Sequence, residues 1–282
     1  MGQAKVKLVV DSSADMPAEW LERWDLRIIP CFINFGTESY PDDGVSLPRS
    51  EFYKKLATSP VMPKTSAPAP GVAAEIIRQQ LAKAEHVIAF TVAHQFSSVY
   101  NSVRLAGDQV DPKRVTVIDT GQVSAALGFM VEAAALTAEL GAGVDEILAA
   151  VQSVRERVRL IAALDTLEYL RRSGRVNTLV ASIGTMLQVK LIIGVHEGEV
   201  QNLHRVRTMT KAKQTMIEVL RADLPIERLA VLHTNCPEGG EALREQVADI
   251  APAFTPILDI TTTVGTHVGP GCLGFSWVRK NK

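Results

Sequence analysis

The sequence of 282 residues is poor in cysteine and aromatic residues and has almost no excess of charge. Its three cysteines, Cys31, Cys236 and Cys272, are odd in number and widely spaced, which argues against a disulfide framework or a thiolate metal cage. The net charge of −1 gives no support to a nucleic-acid or anionic-membrane interface. Because only 5% of the residues are aromatic and 46% are hydrophobic, aliphatic side chains must fill the interior.

Several signals of other protein classes are also missing. The first residues contain no apolar core of a signal peptide, and no apolar run is long enough to span a bilayer, so we expect a cytoplasmic protein without stable membrane insertion. The six histidines form no H-E-x-x-H pair and no compact ligand spacing, so no catalytic metal is expected. "GPGCLG" at 269–274 matches G-x-G-x-x-G, but the chain ends too soon for a dinucleotide-binding unit to follow.

The first half of the sequence alternates β-prone runs with runs of helical spacing. This alternation predicts a parallel sheet covered by helices on both faces, a three-layer α/β domain over residues 1–155. The expected strands lie at 5–13, 26–36, 86–92 and 114–120, and the expected helices at 72–84, 96–110 and 126–143. Between them, "FYKKLATSPVMPKTSAPAPG" at 52–71 opens as a short helix and then predicts a loop, because it becomes rich in Pro, Ser and Thr.

After about residue 155 the alternation changes. "KLIIGVHEGEVQNLHRV" predicts a β-hairpin, since Glu197-Gly198 is flanked by β-prone runs. We therefore expect a second α/β domain with a mixed sheet over residues 156–282, and a ligand site between the two domains. Its other expected strands lie at 158–166, 228–234, 256–264 and 272–278, and its helices at 167–174, 177–187, 210–223 and 238–250.

Polar residues follow several predicted strands, where sites gather in open parallel sheets. "VVDSSADMP" places Asp11 at a strand end, and "HQFSSVY" places Ser97 where a helix starts, a position suited to anions. "KTSAPAPG" offers Thr65 and Ser66 between prolines, and His267 lies among glycines in "TTVGTHVGPGCLGFSW". Ordinary turn and helix caps explain each of the serines, threonines and acids equally simply. Glycine and proline around one imidazole suggest a shaped backbone pocket.

Taken in order, six short motifs resemble the DegV family. The resemblance covers nearly the whole chain, from about Lys7 to Phe275, and the order of the motifs is more specific than any one of them. The family pattern includes D-S-[ST]-A-D-[LM]-P, T-S-x-P-x-P-G and G-x-H-x-G-P-G. The six motifs are "DSSADMP", "TSAPAPG", "FSSVY", "VIDT", "YLRRSGR" and "GTHVGPG".

This resemblance implies a two-domain α/β protein that binds one long-chain fatty acid, without a cofactor and without chemistry of its own. FakB-type members of the family present the acid to a separate fatty-acid kinase. In the family, hydroxyls of the T-S and L-S motifs hold the carboxylate near the histidine. The positions of this sequence that match are Thr65, Ser66, Ser97 and His267.

Two other functions stay open at this point. A serine hydrolase or acyltransferase would use Ser97 as nucleophile and His267 as base. Asp11 or Asp119 would then orient the imidazole, although the sequence has no G-x-S-x-G elbow. The other alternative is a structural or regulatory protein with a fortuitous pocket.

The remaining predictions concern a partner and a lid. Arg172 and Arg175 lie within the "YLRRSGR" motif and are expected to dock the kinase, although a solvated face is an equal alternative. "NTLVASIGTMLQV" at 177–189 follows them, and its small residues predict either a lid over the acyl chain or an ordinary core helix.

Overall fold

The computed structural model describes residues 4–174 and 189–281, which form three β-sheets with helices between and outside them. The strands are β1 (Ala4–Asp11), β2 (Arg27–Ile29), β3 (Phe32–Phe35), β4 (Glu38–Pro41), β5 (Lys64–Ser66), β6 (Ala84–Thr91), β7 (Val115–Asp119), β8 (Val158–Leu164), β9 (Lys190–His196), β10 (Glu199–Val206), β11 (Ile226–His233), β12 (Ile257–Asp259) and β13 (Leu273–Arg279). The helices are α1 (Ala18–Arg23), α2 (Arg49–Thr58), α3 (Pro70–Leu81), α4 (Val99–Val110), α5 (Ser124–Glu139), α6 (Val144–Arg157), α7 (Glu168–Arg172), α8 (Met209–Ala222), α9 (Pro237–Glu245) and α10 (Thr262–Val268).

The first sheet has the order β2-β1-β6-β7, and all of its strands are parallel. Helices α3 and α4 pack on one face, and α5 packs on the other. Its central strands are buried on both faces, which explains why β1 and β6 are continuous apolar runs rather than alternating ones. The three-layer arrangement expected for the first half of the chain is confirmed.

The second sheet has the order β10-β9-β8-β13-β11-β12. Its pairs are antiparallel except for β11 with β12, so the expected mixed sheet and the hairpin at Glu197-Gly198 are both confirmed. Successive residues of β8 face opposite sides: Leu160 joins a cluster with α5, whereas Ile161 joins a cluster with α8. The sheet is therefore covered on both faces, with α5 lying between it and the first sheet.

Helix α5 is the layer shared by the two sheets. Every residue from Ser124 to Val131 is buried, as expected for a helix that is apolar all round. The hydrophobic cluster around it contains residues of β1 and β6 as well as residues of β8, β11 and β13. The two halves of the chain thus share one core, and the proposed boundary between 155 and 156 falls in the last turn of α6.

Three stretches differ from the expectations. The predicted loop at 59–71 contains strand β5, which pairs antiparallel with β3 in a small third sheet of order β4-β3-β5. Helix α6 is not among the helices expected from the sequence. The predicted strand at 256–264 is also wrong in its second half, because β12 ends at Asp259 and α10 begins at Thr262.

None of the helices within residues 4–174 and 189–281 combines the length and the apolar character needed to cross a bilayer.

Candidate ligand-binding site

A cavity lies beside the carboxyl ends of β1 and β6 and reaches strands of the second sheet. Five polar side chains line it, together with a larger number of aliphatic ones. The polar residues come from four separate places in the chain, since two of them belong to α10: Ser13, Thr65, Ser97, Thr263 and His267. Three of the four residues matched by the motifs are therefore brought together around one cavity.

The inner part of this cavity is apolar. A smaller cavity adjoins it, and the two share the aliphatic lining of Val123, Ile193, Val195, Val264 and Val268. The smaller cavity extends between α5 and the second sheet, where its further lining is almost entirely aliphatic. The site is thus a path with a polar end near the surface and an apolar end in the core, which suits an amphipathic ligand.

The imidazole of His267 lies near the C-terminal end of α10, at the polar end of the cavity. Its Nε2 atom is 3.0 Å from Thr65 Oγ1, and the two residues are separated by 202 positions in the chain. Thr65 belongs to β5, so the small third sheet is the element that brings this hydroxyl to the imidazole.

The glycines around His267 have two separate structural roles. Gly265 faces α2, and a side chain there would collide with the buried phenol of Tyr53. Gly269 ends α10 with φ of +75° and packs against the ring of Tyr169, a conformation and a contact that other residues would not tolerate. The glycines therefore allow α10 to approach its neighbours closely and then to turn sharply.

Two buried carboxylates hold the start of α10. Asp15 Oδ1 accepts the Thr261 N–H at 2.7 Å, while its Oδ2 accepts the Ser124 hydroxyl at 2.5 Å. Asp42 Oδ1 accepts the Thr262 hydroxyl at 2.7 Å, and Asp42 Oδ2 accepts the Thr263 N–H at 3.0 Å. Burial raises the pKa of Asp15 to about 6, even though the hydrogen bond from Ser124 acts in the opposite direction. The position of His267 therefore depends on acids from the first half of the chain.

Ser97 and Asp11 stabilise loop and helix geometry at the strand ends. The Val99 N–H donates to Ser97 Oγ at 3.4 Å, so this hydroxyl stands at the beginning of α4. Asp11 Oδ1 accepts the Ser13 N–H at 2.7 Å and Asp11 Oδ2 accepts the Val92 N–H at 2.5 Å, which ties the ends of β1 and β6 together. Burial raises the pKa of the Asp11 carboxyl above its ordinary value.

Other predicted residues lie elsewhere. Ser66 is exposed and is not part of the cavity lining; its Oγ accepts the side-chain amide of Asn34 at 3.1 Å, because neighbouring residues of β5 face opposite sides. Arg172 is on the surface at the end of α7, 3.4 Å from Glu168. Arg175 and the proposed lid segment up to residue 188 lie outside the described residues.

The structure does not bring together the residues that a serine hydrolase would need. His267 Nε2 contacts Thr65, whereas the Ser97 hydroxyl accepts from the backbone of α4. Asp119 Oδ2 is 2.5 Å from Nδ1 of a different histidine, His94, and Asp11 is engaged by backbone N–H groups. The residues expected for nucleophile, base and orienting acid are therefore engaged in separate local contacts.

Sequence reasoning did not identify Thr263 as a cavity residue. Thr263 belongs to a run of three threonines that was expected to be a strand, since β-branched residues favour strands. Its spacing of four residues from His267 is the signal that a helical interpretation would have used.

Comparisons with known proteins agree with the site. A model of the DegV family, described as a family of uncharacterised proteins, matches residues 5–280. A DegV domain-containing protein of Caldanaerobacter subterraneus is 31% identical over 98% of this chain and 99% of its own length.

Two relatives are named for what they bind. A fatty acid-binding protein of Thermotoga maritima is 30% identical, with 96% of each chain covered. A solved structure of a DegV family protein from Thermus thermophilus, described by its fatty acid binding, superposes with a TM-score of 0.89 at 28% identity and covers 98% of this chain and all of its own. These names agree with the expectation of a binding protein rather than an enzyme.

Proposed function

The chain belongs to the DegV family, and we propose that it binds one long-chain fatty acid in the cavities between the first and second sheets. The carboxylate is held by Thr65, Ser97 and His267, and the acyl chain follows the aliphatic walls inward. The observation that carries this proposal is a pair of adjoining cavities with a hydroxyl–imidazole pair at one end and an aliphatic lining at the other.

The energetics of this arrangement favour a long acyl chain. Burying a sixteen-carbon tail at roughly 0.8 kcal/mol per CH₂ gives on the order of 12 kcal/mol, from which association subtracts about 4 kcal/mol or more. A buried carboxylate costs several kcal/mol unless it is hydrogen-bonded, and hydroxyl and imidazole donors offset that. We therefore expect a dissociation constant in the micromolar range or below.

The direct test is to denature protein purified from cells and to analyse it by mass spectrometry. A stoichiometric long-chain fatty acid is the expected result, and a delipidated protein that neither carries nor binds one would contradict the proposal.

Ser97→Ala and His267→Ala should keep the thermal midpoint of the wild type and weaken fatty-acid binding. Ser98→Ala is the matched control, because Ser98 is exposed next to Ser97 and does not line the cavity.

We further propose that the protein does no chemistry alone and presents its carboxylate to a separate fatty-acid kinase. Helix α7 supports this idea, because Leu170 lines the cavity while Arg172 lies on the surface two residues later. A partner that binds Arg172 would sit close to the cavity. The pairing of Arg172 with Glu168 leaves an arginine side chain that is 38% exposed and accessible to an acidic partner surface.

The kinase proposal is tested by acyl-phosphate formation with the cognate kinase and ATP. Arg172→Ala and Arg175→Ala should lower turnover while fatty-acid binding stays the same. Arg104→Ala is a control on a different helix, α4, where Arg104 pairs with Asp108 at i,i+4 spacing. Wild-type turnover in both test variants would remove these arginines from the partner surface.

A further inference from the structure

We infer that the Thr263 hydroxyl is a further hydrogen-bond donor to the carboxylate of the bound fatty acid, an inference that rests on the proposed function. Thr263 lines the same cavity as Thr65, Ser97 and His267. It was not among the residues that the sequence motifs select. Three features of Thr263 support the inference: the hydrogen bonding of its hydroxyl, its position on α10 and the hydrogen bond that holds its backbone.

The Thr263 hydroxyl oxygen is buried, and within the part of the chain that the structure describes it has no oxygen or nitrogen partner, only the weakly accepting sulfur of Cys31 nearby. Its neighbours on α10 differ: the Thr262 hydroxyl donates to Asp42 Oδ1 at 2.7 Å, and the Thr266 hydroxyl donates to the Thr262 carbonyl at 2.8 Å. A buried hydroxyl without a good acceptor costs about 1–3 kcal/mol, and a ligand in the cavity can remove that cost.

The thiol beside this hydroxyl is a weak hydrogen-bond partner for it. Cys31, which also lines the cavity, lies within hydrogen-bond reach of the Thr263 hydroxyl through its sulfur. Burial raises the pKa of the Cys31 thiol well above its ordinary value, so the sulfur is a neutral thiol and a weak acceptor. A carboxylate is the stronger acceptor by far, and it would accept the hydrogen bond that the hydroxyl donates.

The spacing on α10 places the hydroxyl where the headgroup is expected. Thr263 and His267 are four residues apart and so lie on one face of the helix, one turn from each other. Val264 and Val268 repeat the same spacing beside them, and both valines also line the inner cavity. One helix therefore provides a polar pair for the carboxylate and an apolar pair for the first part of the acyl chain.

The backbone of Thr263 is fixed from outside the cavity. Its N–H donates to Asp42 Oδ2 at 3.0 Å, and the other oxygen of that buried carboxylate accepts from Thr262. A donor whose backbone is already fixed loses little conformational freedom when the ligand arrives, so more of its hydrogen-bond energy appears as affinity.

The test compares Thr263→Val with the wild type against two ligands of equal chain length, palmitic acid and hexadecanol. Valine has the shape of threonine but carries a methyl group in place of the hydroxyl. The affinity for palmitic acid should fall about tenfold, as expected for a hydrogen bond to a charged group. The affinity for hexadecanol should change by less than about threefold, because a neutral headgroup gains less from this donor. Thr263→Ser should restore binding of the acid.

Thr266→Val is the matched control, since it removes a hydroxyl from the same helix that bonds only to the backbone of α10. It should leave the ratio of the two affinities unchanged. If Thr263→Val binds palmitic acid as the wild type does, or weakens both ligands by the same factor, the inference is overturned. If the delipidated wild type binds no palmitic acid, the proposed function itself fails, and the two failures are thereby distinguished.

Discussion

The two ends of the cavity are built in different ways. The polar end is assembled from a short strand, a helix start and the short helix α10, and its residues lie far apart in the sequence. The apolar end is lined mainly by strands β8, β9 and β11 of the second sheet and by the beginning of α5, with two valines of α10 beside them. The ligand chemistry thus depends on irregular segments that must be held in place, whereas the chain-binding surface follows from ordinary strand alternation.

The polar and apolar ends of the cavity also differ in their titratable groups. Buried acids surround the start of α10, while the lining of the inner cavity contains one ionisable side chain among the described residues, Cys272. Burial raises the pKa of this thiol far above neutrality, so it stays uncharged. A change of pH should therefore affect the support of the polar end and leave the apolar end as it is.

The largest effect is expected from Asp15→Asn. Because the folded-state pKa of Asp15 is about 6 rather than 3.8, the folded protein binds the proton more tightly than the unfolded chain does. The wild type therefore loses stability as pH rises from about 4 to 7, by up to about 3 kcal/mol from this group. The free energy of unfolding of Asp15→Asn minus that of the wild type should rise by this amount over the same range.

Urea unfolding at several pH values measures this difference. Asp249→Asn is the control that should show no change between pH 4 and 7, since pairing with Arg221 lowers the pKa of Asp249 and its contribution is lost only as pH falls below about 4. A stability difference between Asp15→Asn and the wild type that does not change between pH 4 and 7 would show that Asp15 is not held as a buried acid.

The next largest effect is expected from Gly265→Ala, which tests how closely α10 must approach α2. The added methyl group would collide with the phenol oxygen of Tyr53, and overpacking of this kind costs about 1–3 kcal/mol. The displaced helix should also bind palmitic acid less tightly, because His267 moves with it. Thermal unfolding and fatty-acid titration measure the two effects.

Tyr53→Phe is the natural rescue, because it removes the oxygen that the new methyl group meets. The double variant Gly265→Ala with Tyr53→Phe should regain most of the stability and the binding. Gly71→Ala is the matched control, since nothing lies within 4 Å of its added methyl group in α3. If the double variant does not regain stability and binding, the strain in Gly265→Ala does not come from contact with the Tyr53 oxygen and lies elsewhere on α10.

The contrast between the two ends also explains what the sequence could predict. Most of the strands and helices of both halves follow from alternation and helical spacing, and the hairpin follows from Glu197-Gly198, where φ is positive at both residues. The hydroxyls and the histidine were found through the motifs, yet the pairing of Thr65 with His267 spans 202 positions and has no local signal.

Helix α10 shows why the remainder could not be predicted. Three consecutive threonines favour a strand, and the helix forms there because Asp15 and Asp42 accept hydrogen bonds from its first turn. These acids lie 246 and 221 residues away from their backbone partners. Strand β5 is a similar case, since Lys64–Ser66 becomes a strand by pairing with β3.

The smallest effect is expected at the apolar end, where alternation along β9 offers a direct comparison. Ile193 faces the cavity and the adjacent Ile192 faces α8, and both are buried. Ile192→Val and Ile193→Val should each lower the free energy of unfolding by about 1 kcal/mol. Only Ile193→Val should weaken binding, by up to about fourfold for palmitic acid and hexadecanol alike, because one methylene contact with the acyl chain is lost. If Ile192→Val changed binding equally, or if Ile193→Val altered the ratio of the two affinities, the acyl chain would not lie along this face of the sheet.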